Sequence, residues 1–258
     1  MKHVLLIASV LTGCAHPTAA PLPPAAQAAL TERIDQLDAE AVPIYTGRVQ
    51  PRGDDADALF SYRRFVSGDG EEQVSSHLTV DADDEPRVLH VAHTASDGRL
   101  LRFDEWHGQT GLVGSMVVDA SHTATIEVTV GGERTERTEE GDAPVHTGPS
   151  LFGFVLQHWD ALVDGEVRPL RFAVLADART YRFDLRLASI DEVEAVFEMR
   201  ASSAFVRLAV PTLAITFDPE TRAPIRYEGL VPPLRETPRG LRPLDARVDY
   251  VLDGPDYR

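Results

Sequence analysis

Four histidines lie close together in the first half of the chain, with two acidic residues beside them: His77, His90, His93 and His107, with Asp104 and Glu105. Imidazole and carboxylate groups on adjacent strands can bind zinc. A regular strand, however, sends His90 and His93, three residues apart, to opposite faces. We expect at most a subset to converge, and the alternative is that these side chains are structural. We therefore predict no metal site and no cofactor.

His158 is the other candidate, because it lies in a segment with helical periodicity. Apolar residues recur there at Leu151, Val155 and Leu162, and helical spacing would place His158 within that stripe, facing a sheet. A buried imidazole needs hydrogen-bond partners. The functional interpretation is a base in a cavity or a ligand contact, with the candidate ligand-binding residues His158, Trp159 and Phe154. The structural interpretation is a core histidine paired with a backbone carbonyl or an acid.

The motifs of common enzyme classes are missing from the sequence. Ser115 follows Gly114, but Val117 stands where a nucleophile elbow has its second glycine. There is no P-loop, dinucleotide fingerprint or metalloprotease helix either. We name no catalytic residue and favour a non-enzymatic protein. A hydrolase without a recognisable motif stays open, since catalytic triads are defined by geometry and not by sequence order.

The composition excludes two classes of partner. The formal net charge is −16 and the isoelectric point is about 4.9, whereas nucleic-acid binding requires a basic face. The same charge argues against electrostatic attachment to anionic lipid. The acidic segment 81–85 lacks the glycine and terminal glutamate of a calcium loop and is interpreted as a solvated turn. Segment 133–142 is interpreted as an exposed hairpin arm or a mobile loop.

The first thirteen residues are typical of a short secretory signal. Lys2 supplies the positive charge and Val4 to Leu11 the apolar core, which is too short to span a bilayer. The run Leu11-Thr12-Gly13-Cys14 resembles the lipobox of bacterial lipoproteins. This resemblance implies cleavage before Cys14 and lipidation of its thiol, with palmitate-type acyl chains. The alternative is an ordinary signal peptide cleaved within Ala15 to Ala20.

Cys14 is the single cysteine of the chain. If the lipid occupies its thiol, the mature protein has neither a disulfide nor a thiolate nucleophile. We predict a signal peptide over 1–13, a lipidated Pro-rich tether over 14–24 and one β-rich domain over 25–258. Ala15 follows the cysteine where the inner-membrane retention signal of enteric bacteria has aspartate. The resemblance therefore implies the periplasmic face of the outer membrane, with the inner membrane left open.

The fold prediction rests on periodicity. Leu30, Ile34 and Leu37 predict an amphipathic N-terminal helix that packs on the sheet. From about Tyr45 onward the dominant period is two, which predicts many short antiparallel strands, including runs at 124–130, 181–187, 205–209 and 246–251. Ser150 is predicted to cap a second helix, which Gly165 ends. We predict a mainly β fold, with a curved antiparallel sheet, a half-barrel or open barrel, wrapped around one amphipathic helix.

Two resemblances accompany this pattern. A curved sheet around one apolar helix is similar in architecture to the half-barrels of the LolA and LolB lipoprotein carriers. Four segments resemble a family of uncharacterised proteobacterial proteins, for which no activity is implied: Gly148 to Phe152, His158 to Asp160, Asp218 to Thr221 and Ile225 to Gly229. Similarity of fold does not imply similarity of function.

Two non-enzymatic functions are consistent with these features. The first is a membrane-anchored periplasmic binder or carrier of a hydrophobic ligand, such as an acyl chain, because large concave apolar sites are the usual ligand pockets. The second is a scaffold lipoprotein that recruits an envelope protein through a sheet edge or an apolar patch.

Overall fold

The computed structural model describes residues 20–40, 43–53, 57–68 and 70–252. The predicted signal peptide and Cys14 lie outside the described residues. The strands of the first half are β1 (Tyr45–Pro51), β2 (Phe60–Gly68), β3 (Glu72–Asp81), β4 (Pro86–Ala95), β5 (Leu100–His107), β6 (Leu112–Val118), β7 (Ala124–Val130) and β8 (Glu133–Glu139). Those of the second half are β9 (Val145–His146), β10 (Arg168–Val174), β11 (Arg179–Ile190), β12 (Ala195–Ala201), β13 (Leu213–Phe217), β14 (Pro224–Thr237) and β15 (Gly240–Leu252).

Four α-helices accompany these strands in the described part of the chain. They are α1 (Pro24–Glu40), α2 (Gly148–Gln157), α3 (Trp159–Val163) and α4 (Ala204–Ala209), and a single 3-10 turn covers Leu175–Asp177. None of the described helices combines the length and the hydropathy that crossing a membrane requires.

All the described strands join one sheet, in the order β8-β7-β6-β5-β4-β3-β2-β1-β15-β14-β13-β12-β11-β10-β9. Each half of the chain is therefore a meander, and the antiparallel pairing of β1 with β15 connects the halves. Neighbouring strands are antiparallel except β9 and β10, which are parallel. The predicted mainly β class and the curved open sheet are confirmed.

Alternating burial explains why these segments form strands. In β7 the side chains of Ala124, Ile126 and Val128 are buried and the residues between them are not, so one face of the strand packs and the other is solvated. One predicted strand is wrong, because 205–209 belongs to helix α4. That run is too short for periodicity to separate a strand from a helix, and its last three residues, Arg207, Leu208 and Ala209, favour the helix.

The sheet curves around α2. Phe152 on α2 has its ring 6.1 Å from that of Tyr45 on β1 and 5.7 Å from that of Phe217 on β13. The same helix also contacts β3 and β4. Because one short helix contacts strands from both halves of the sheet, the face against which α2 packs is the concave, inner face. The predicted helix inside the sheet is confirmed.

The start of α2 differs from the prediction. The helix begins at Gly148, with Thr147 as its N-cap, and Ser150 is the third helical residue. The Ser150 hydroxyl accepts a hydrogen bond from the Thr147 backbone N–H at 3.0 Å. This bond satisfies the backbone donor of the N-cap residue. The helical segment is also interrupted at His158, so that α3 is a separate helix of five residues.

Helix α1 packs on the outer face. Leu30 is buried in a cluster with alternate residues of β2, β3 and β4, and Ile34 and Leu37 pack against it, which confirms the predicted amphipathic helix. Leu22, within the predicted tether, is also buried in this cluster. The Ala20 backbone N–H bonds to the Gln109 carbonyl at 3.3 Å, so the chain reaches the domain beside the β5–β6 turn.

A buried arginine joins the two ends of the sheet. Arg171 on β10 is 6% exposed. It donates to the carbonyl oxygens of His122 (2.7 Å), in the β6–β7 turn, and of Glu139 (3.2 Å), at the end of the opposite edge strand β8. Its Nε donates to the Thr180 hydroxyl at 3.0 Å, and this hydroxyl donates to the Glu139 carboxylate at 2.8 Å. A Cβ on Gly141 would lie 2.4 Å from Arg171 Nη1. Side chains, not a backbone ladder, therefore close the sheet at this seam.

The β14–β15 hairpin closes one end of the curve. The register of β14 shifts between Val231 and Leu234, where Pro232 and Pro233 cannot donate ladder bonds. Leu234 then pairs with the Gln109 side chain through two hydrogen bonds of 2.8 Å. The Pro232 carbonyl accepts a bond from His107 at 3.0 Å. The β14 strand of the hairpin is thus hydrogen-bonded to residues at the C-terminal end of β5.

Replacement of Arg171 by methionine should destabilise the fold strongly. The change leaves buried acceptors unpaired, and breaking such a buried network costs about 3 kcal/mol. Urea unfolding measures this loss. The matched control is Arg182→Met, which removes an ion pair with Asp142 whose partners are both more than half exposed and which should cost less than about 1 kcal/mol. Equal losses would show that the seam does not depend on Arg171.

Candidate functional site

Five polar side chains occupy one continuous row across the inner face of β1 to β5. The register pairs Tyr45 with Arg64, Arg64 with His77, His77 with His90, and His90 with Glu105. Residues directly opposite each other on neighbouring antiparallel strands have Cβ atoms about 4.5–5.5 Å apart. The fold therefore aligns two histidines, an arginine, a tyrosine and a glutamate in the protein interior.

Arg64 carries a buried positive charge. It is 7% exposed, and its two terminal nitrogens donate to the hydroxyls of Tyr45 and Ser75, each at 3.1 Å. Its guanidinium carbon lies 5.5 Å from the centre of the Tyr45 ring and 6.0 Å from that of Phe152. In the described part of the chain no carboxylate lies within 4 Å of it, and its Nε has no hydrogen-bond partner.

His77 is buried beside Arg64 in neutral form. Its ring meets that of Tyr62 edge to face, with centroids 4.8 Å apart. Burial, and then repulsion from His90, hold the pKa of His77 well below the ordinary value. Its Nε2 is buried without a hydrogen-bond partner among the described residues. In the tautomer with the proton on Nε2, this atom is a hydrogen-bond donor.

His90 and Glu105 form the acidic end of the row. Their side chains approach to 3.5 Å, from His90 Nε2 to Glu105 Oε1. Burial alone would raise the pKa of Glu105, but the charges of His90 and His107 hold that pKa below its ordinary value. Glu105 is therefore a buried carboxylate whose ionised form is favoured by its histidine neighbours.

The histidine cluster of the sequence separates into two faces. His77, His90 and His107 lie inside, whereas His93 bonds to Glu72 at 2.6 Å and Asp104 to Arg102 at 2.7 Å on the outer face. The predicted split of His90 from His93 is thus observed. No three His, Cys, Asp or Glu side chains of the described ranges are grouped so as to hold a metal ion.

The residues predicted to bind a ligand lie on α2, on α3 or between them, and are not part of the polar row. Trp159 packs edge to face on Phe197, with centroids 5.0 Å apart, and Phe154 is buried next to His146. His158 is half-buried at the junction of α2 and α3, with its ring 4.6 Å from that of Phe154. Phe152, which was not predicted as a ligand contact, has its ring centre 6.0 Å from the Arg64 guanidinium carbon.

His146 also escaped the sequence analysis. It is 2% exposed, and its Nδ1 lies 3.2 Å from the Ser150 hydroxyl. Burial, followed by the proximity of His158 and His122, lowers the pKa of His146 to about 3. A single histidine in a two-residue strand has no periodic pattern that would have predicted its burial.

Two cavities of the described structure lie outside the sheet, along α1. One is an open depression of about 810 Å³ on the exposed side of the helix, between Pro24 and Gln36. The other, of about 300 Å³, lies between α1 and the outer face at Val91, Asp104 and Trp106. Both are shallow and polar at the rim. The inner face is instead filled by α2, so a ligand bound there has to take the place of helix contacts.

Comparison with known proteins gives little beyond the fold. No protein-family model matches the chain, and no curated protein matches its sequence significantly. One solved structure, a beta-barrel-like protein of domain of unknown function DUF1849 from Brucella abortus, is similar over 82% of this chain and 97% of that chain. The sequence identity is 8% and the TM-score 0.41. Similarity at this level carries nothing about activity.

The buried histidines predict a loss of stability in acid. Because the pKa of His146 in the folded protein is about 3 and that of an unfolded chain is about 6.5, only the unfolded chain takes up this proton between those values. The free energy of unfolding should therefore fall with pH below about 6.5, by up to about 1.4 kcal/mol per pH unit for this residue.

Urea unfolding of the wild type and of His146→Leu between pH 7 and pH 4 measures this effect. The variant should lose less stability per pH unit, and His93→Leu controls for removing an imidazole as such. Identical slopes for the wild type and His146→Leu would contradict the assignment.

Proposed function

We propose that this protein is a non-enzymatic binding module of the cell envelope. Lipid on Cys14 tethers it, and it holds an apolar ligand between α2 and the inner face of the sheet. The observation that carries the proposal is the polar row beneath an apolar helix. A core built for stability alone would be apolar at Arg64, because a buried charge without a carboxylate partner costs several kcal/mol. The row is thus better explained as part of a site.

Helix α2 is the element that a ligand would replace. Its inner side presents aromatic rings, of which Phe152 contacts Tyr45, Phe217 and Tyr250. The helix is short, and at its C-terminal end Gln157 bonds to the Asp97 carbonyl at 2.7 Å. A ligand with an apolar chain can make the same contacts with the sheet that Phe152 makes now. Occupancy therefore depends on the competition between α2 and the ligand.

The membrane tether follows from the lipobox resemblance and from the position of Ala20. Five residues separate Cys14 from Ala20, a covalent reach of about 20 Å at most. The acyl chains, each contributing about 0.8 kcal/mol per buried methylene, anchor the acidic domain close to the membrane without a basic patch. We place it on the periplasmic face of the outer membrane.

Lipidation is tested by replacing Cys14 with serine. The wild-type chain should sediment with membranes and give an N-terminal peptide that begins at Cys14 and carries acyl chains in mass spectrometry. Cys14→Ser should lose the acyl mass, while the control Thr18→Ser should keep it. An unmodified peptide beginning within Ala15 to Ala20 would instead identify an ordinary signal peptide.

Ligand binding is tested with N-phenyl-1-naphthylamine, a neutral dye that becomes fluorescent in apolar sites, on the full chain carrying Cys14→Ser. Truncation of Phe152 weakens the competing helix, so the affinity for the dye should rise in the order wild type, Phe152→Leu, Phe152→Ala. Phe152→Ala should bind the dye about tenfold more tightly than the wild type, or better, since a buried Phe→Ala change removes about 3–5 kcal/mol of contacts.

Val117→Ala, at an exposed site on the outer face, is the matched control and should leave the affinity unchanged. Native mass spectrometry and lipid extraction of the purified protein provide an independent readout. Absence of both dye binding and co-purified lipid would overturn the proposal, and equal dye binding by all variants would place the dye outside the α2 site.

A further inference from the structure

We infer that Arg64 and His77 form a subsite for the acidic head group of an amphiphile. The inference rests on the proposed function and makes it specific: the ligand has an apolar chain and a carboxylate. Three observations point to it, namely the charge of Arg64, the unsatisfied donors beside it, and the aromatic rings around it.

The charge at Arg64 lacks a counter-ion among the described residues. The groups that face it are the hydroxyls of Tyr45 and Ser75, the neutral ring of His77 and the ring of Phe152. The hydroxyls orient the guanidinium but do not neutralise it. Glu105, the one carboxylate of the row, lies three strands away, beyond His77 and His90, and is held by His90. An anion placed at Arg64 would supply the missing charge.

Two unsatisfied nitrogen atoms belong to neighbouring residues of the row. Among the described residues, neither Arg64 Nε nor His77 Nε2 has a hydrogen-bond partner, and both atoms are buried. Their residues are direct partners across β2 and β3. Buried donors of this kind are normally satisfied. A carboxylate has two oxygens and only accepts hydrogen bonds, so one head group can satisfy both donors at once. A neutral alcohol would leave the charge of Arg64 uncompensated.

The surroundings of Arg64 fit the first methylenes of a chain. The rings of Tyr45, Tyr62 and Tyr250 pack on one another, with centroids between 4.9 and 6.4 Å apart. Phe152 of α2 packs on Tyr250, in the place that the ligand's chain would take. The polar row therefore meets an aromatic cluster at Arg64. This boundary matches a molecule whose acidic end joins an apolar chain.

The test compares dodecanoate with dodecan-1-ol, which share the chain and differ in the head group, by displacement of N-phenyl-1-naphthylamine from the full chain carrying Cys14→Ser. Dodecanoate should bind more tightly than the alcohol, and Arg64→Met should weaken dodecanoate binding about tenfold or more while changing the affinity for the alcohol less than about twofold. Arg64→Lys keeps the charge without the planar fork and should retain part of the preference.

Arg63→Met is the matched control. Arg63 neighbours Arg64 on the same strand but points outward and pairs with Asp84, so its loss should change neither affinity. The Arg64 Nε–H resonance in the wild type gives a second readout. It should shift on adding dodecanoate and not on adding the alcohol, which a purely structural arginine would not show.

The outcomes separate this inference from the proposed function. Equal binding of both probes, unchanged by Arg64→Met, overturns the subsite and leaves the apolar site intact. Failure of both probes to bind overturns the proposed function as well. Acetate binding at Arg64 as tight as that of dodecanoate overturns the amphiphile and indicates a site for small free anions.

Discussion

Closure of the sheet is the constraint on which the rest of the structure depends. The terminal strands β8 and β9 do not pair with each other, so the curve would open if nothing held its ends. Arg171 takes this role by donating to two carbonyl oxygens across the seam while its Nε is held by Thr180. Once the ends are fixed, the inner face has a defined width. That width is filled by α2, which presses Phe152 onto strands of both halves.

The two halves of the sheet present different inner faces to this helix. In the second half, β11 to β13 contribute Phe183, Phe197 and Ile215 to an apolar cluster with α2. In the first half, β1 to β5 contribute the polar row. Burying apolar area stabilises a fold by about 25 cal/mol per Å², whereas burying unpaired polar groups costs free energy. The apolar clusters of β11 to β13 and of β4 to β7 therefore offset the cost of the polar row. A protein can keep such a row only where its interior has another role, which is the physical basis of the proposed binding site.

The sequence predicted most of the fold because the relevant signals are local. Alternation in β7 and β11 and helical spacing in α1 required only a window of a few residues. The run 205–209 was predicted wrongly, since so short an apolar segment fits either period. The break between α2 and α3 at His158 was not predicted, since periodicity does not detect it. The extension of β14 past Pro232 was not predicted either, because the bonds that hold it come from Gln109 in the other half of the chain.

The candidate site was harder to predict for the same reason. His77, His90 and Glu105 were noticed as residue types, but their alignment depends on the register of three strand pairs, which no local pattern determines. Arg64 was not predicted as a site residue, because the net charge of −16 argues against nucleic acid and anionic lipid as partners. That argument applies to the surface, where charges are screened and summed. In the interior, the attraction between an anion and one guanidinium is stronger than the repulsion from the distant surface charges, since the local dielectric is low. An acidic exterior and a positive interior are compatible: the first disfavours adsorption to anionic membranes, and the second favours an acid whose chain has already left water.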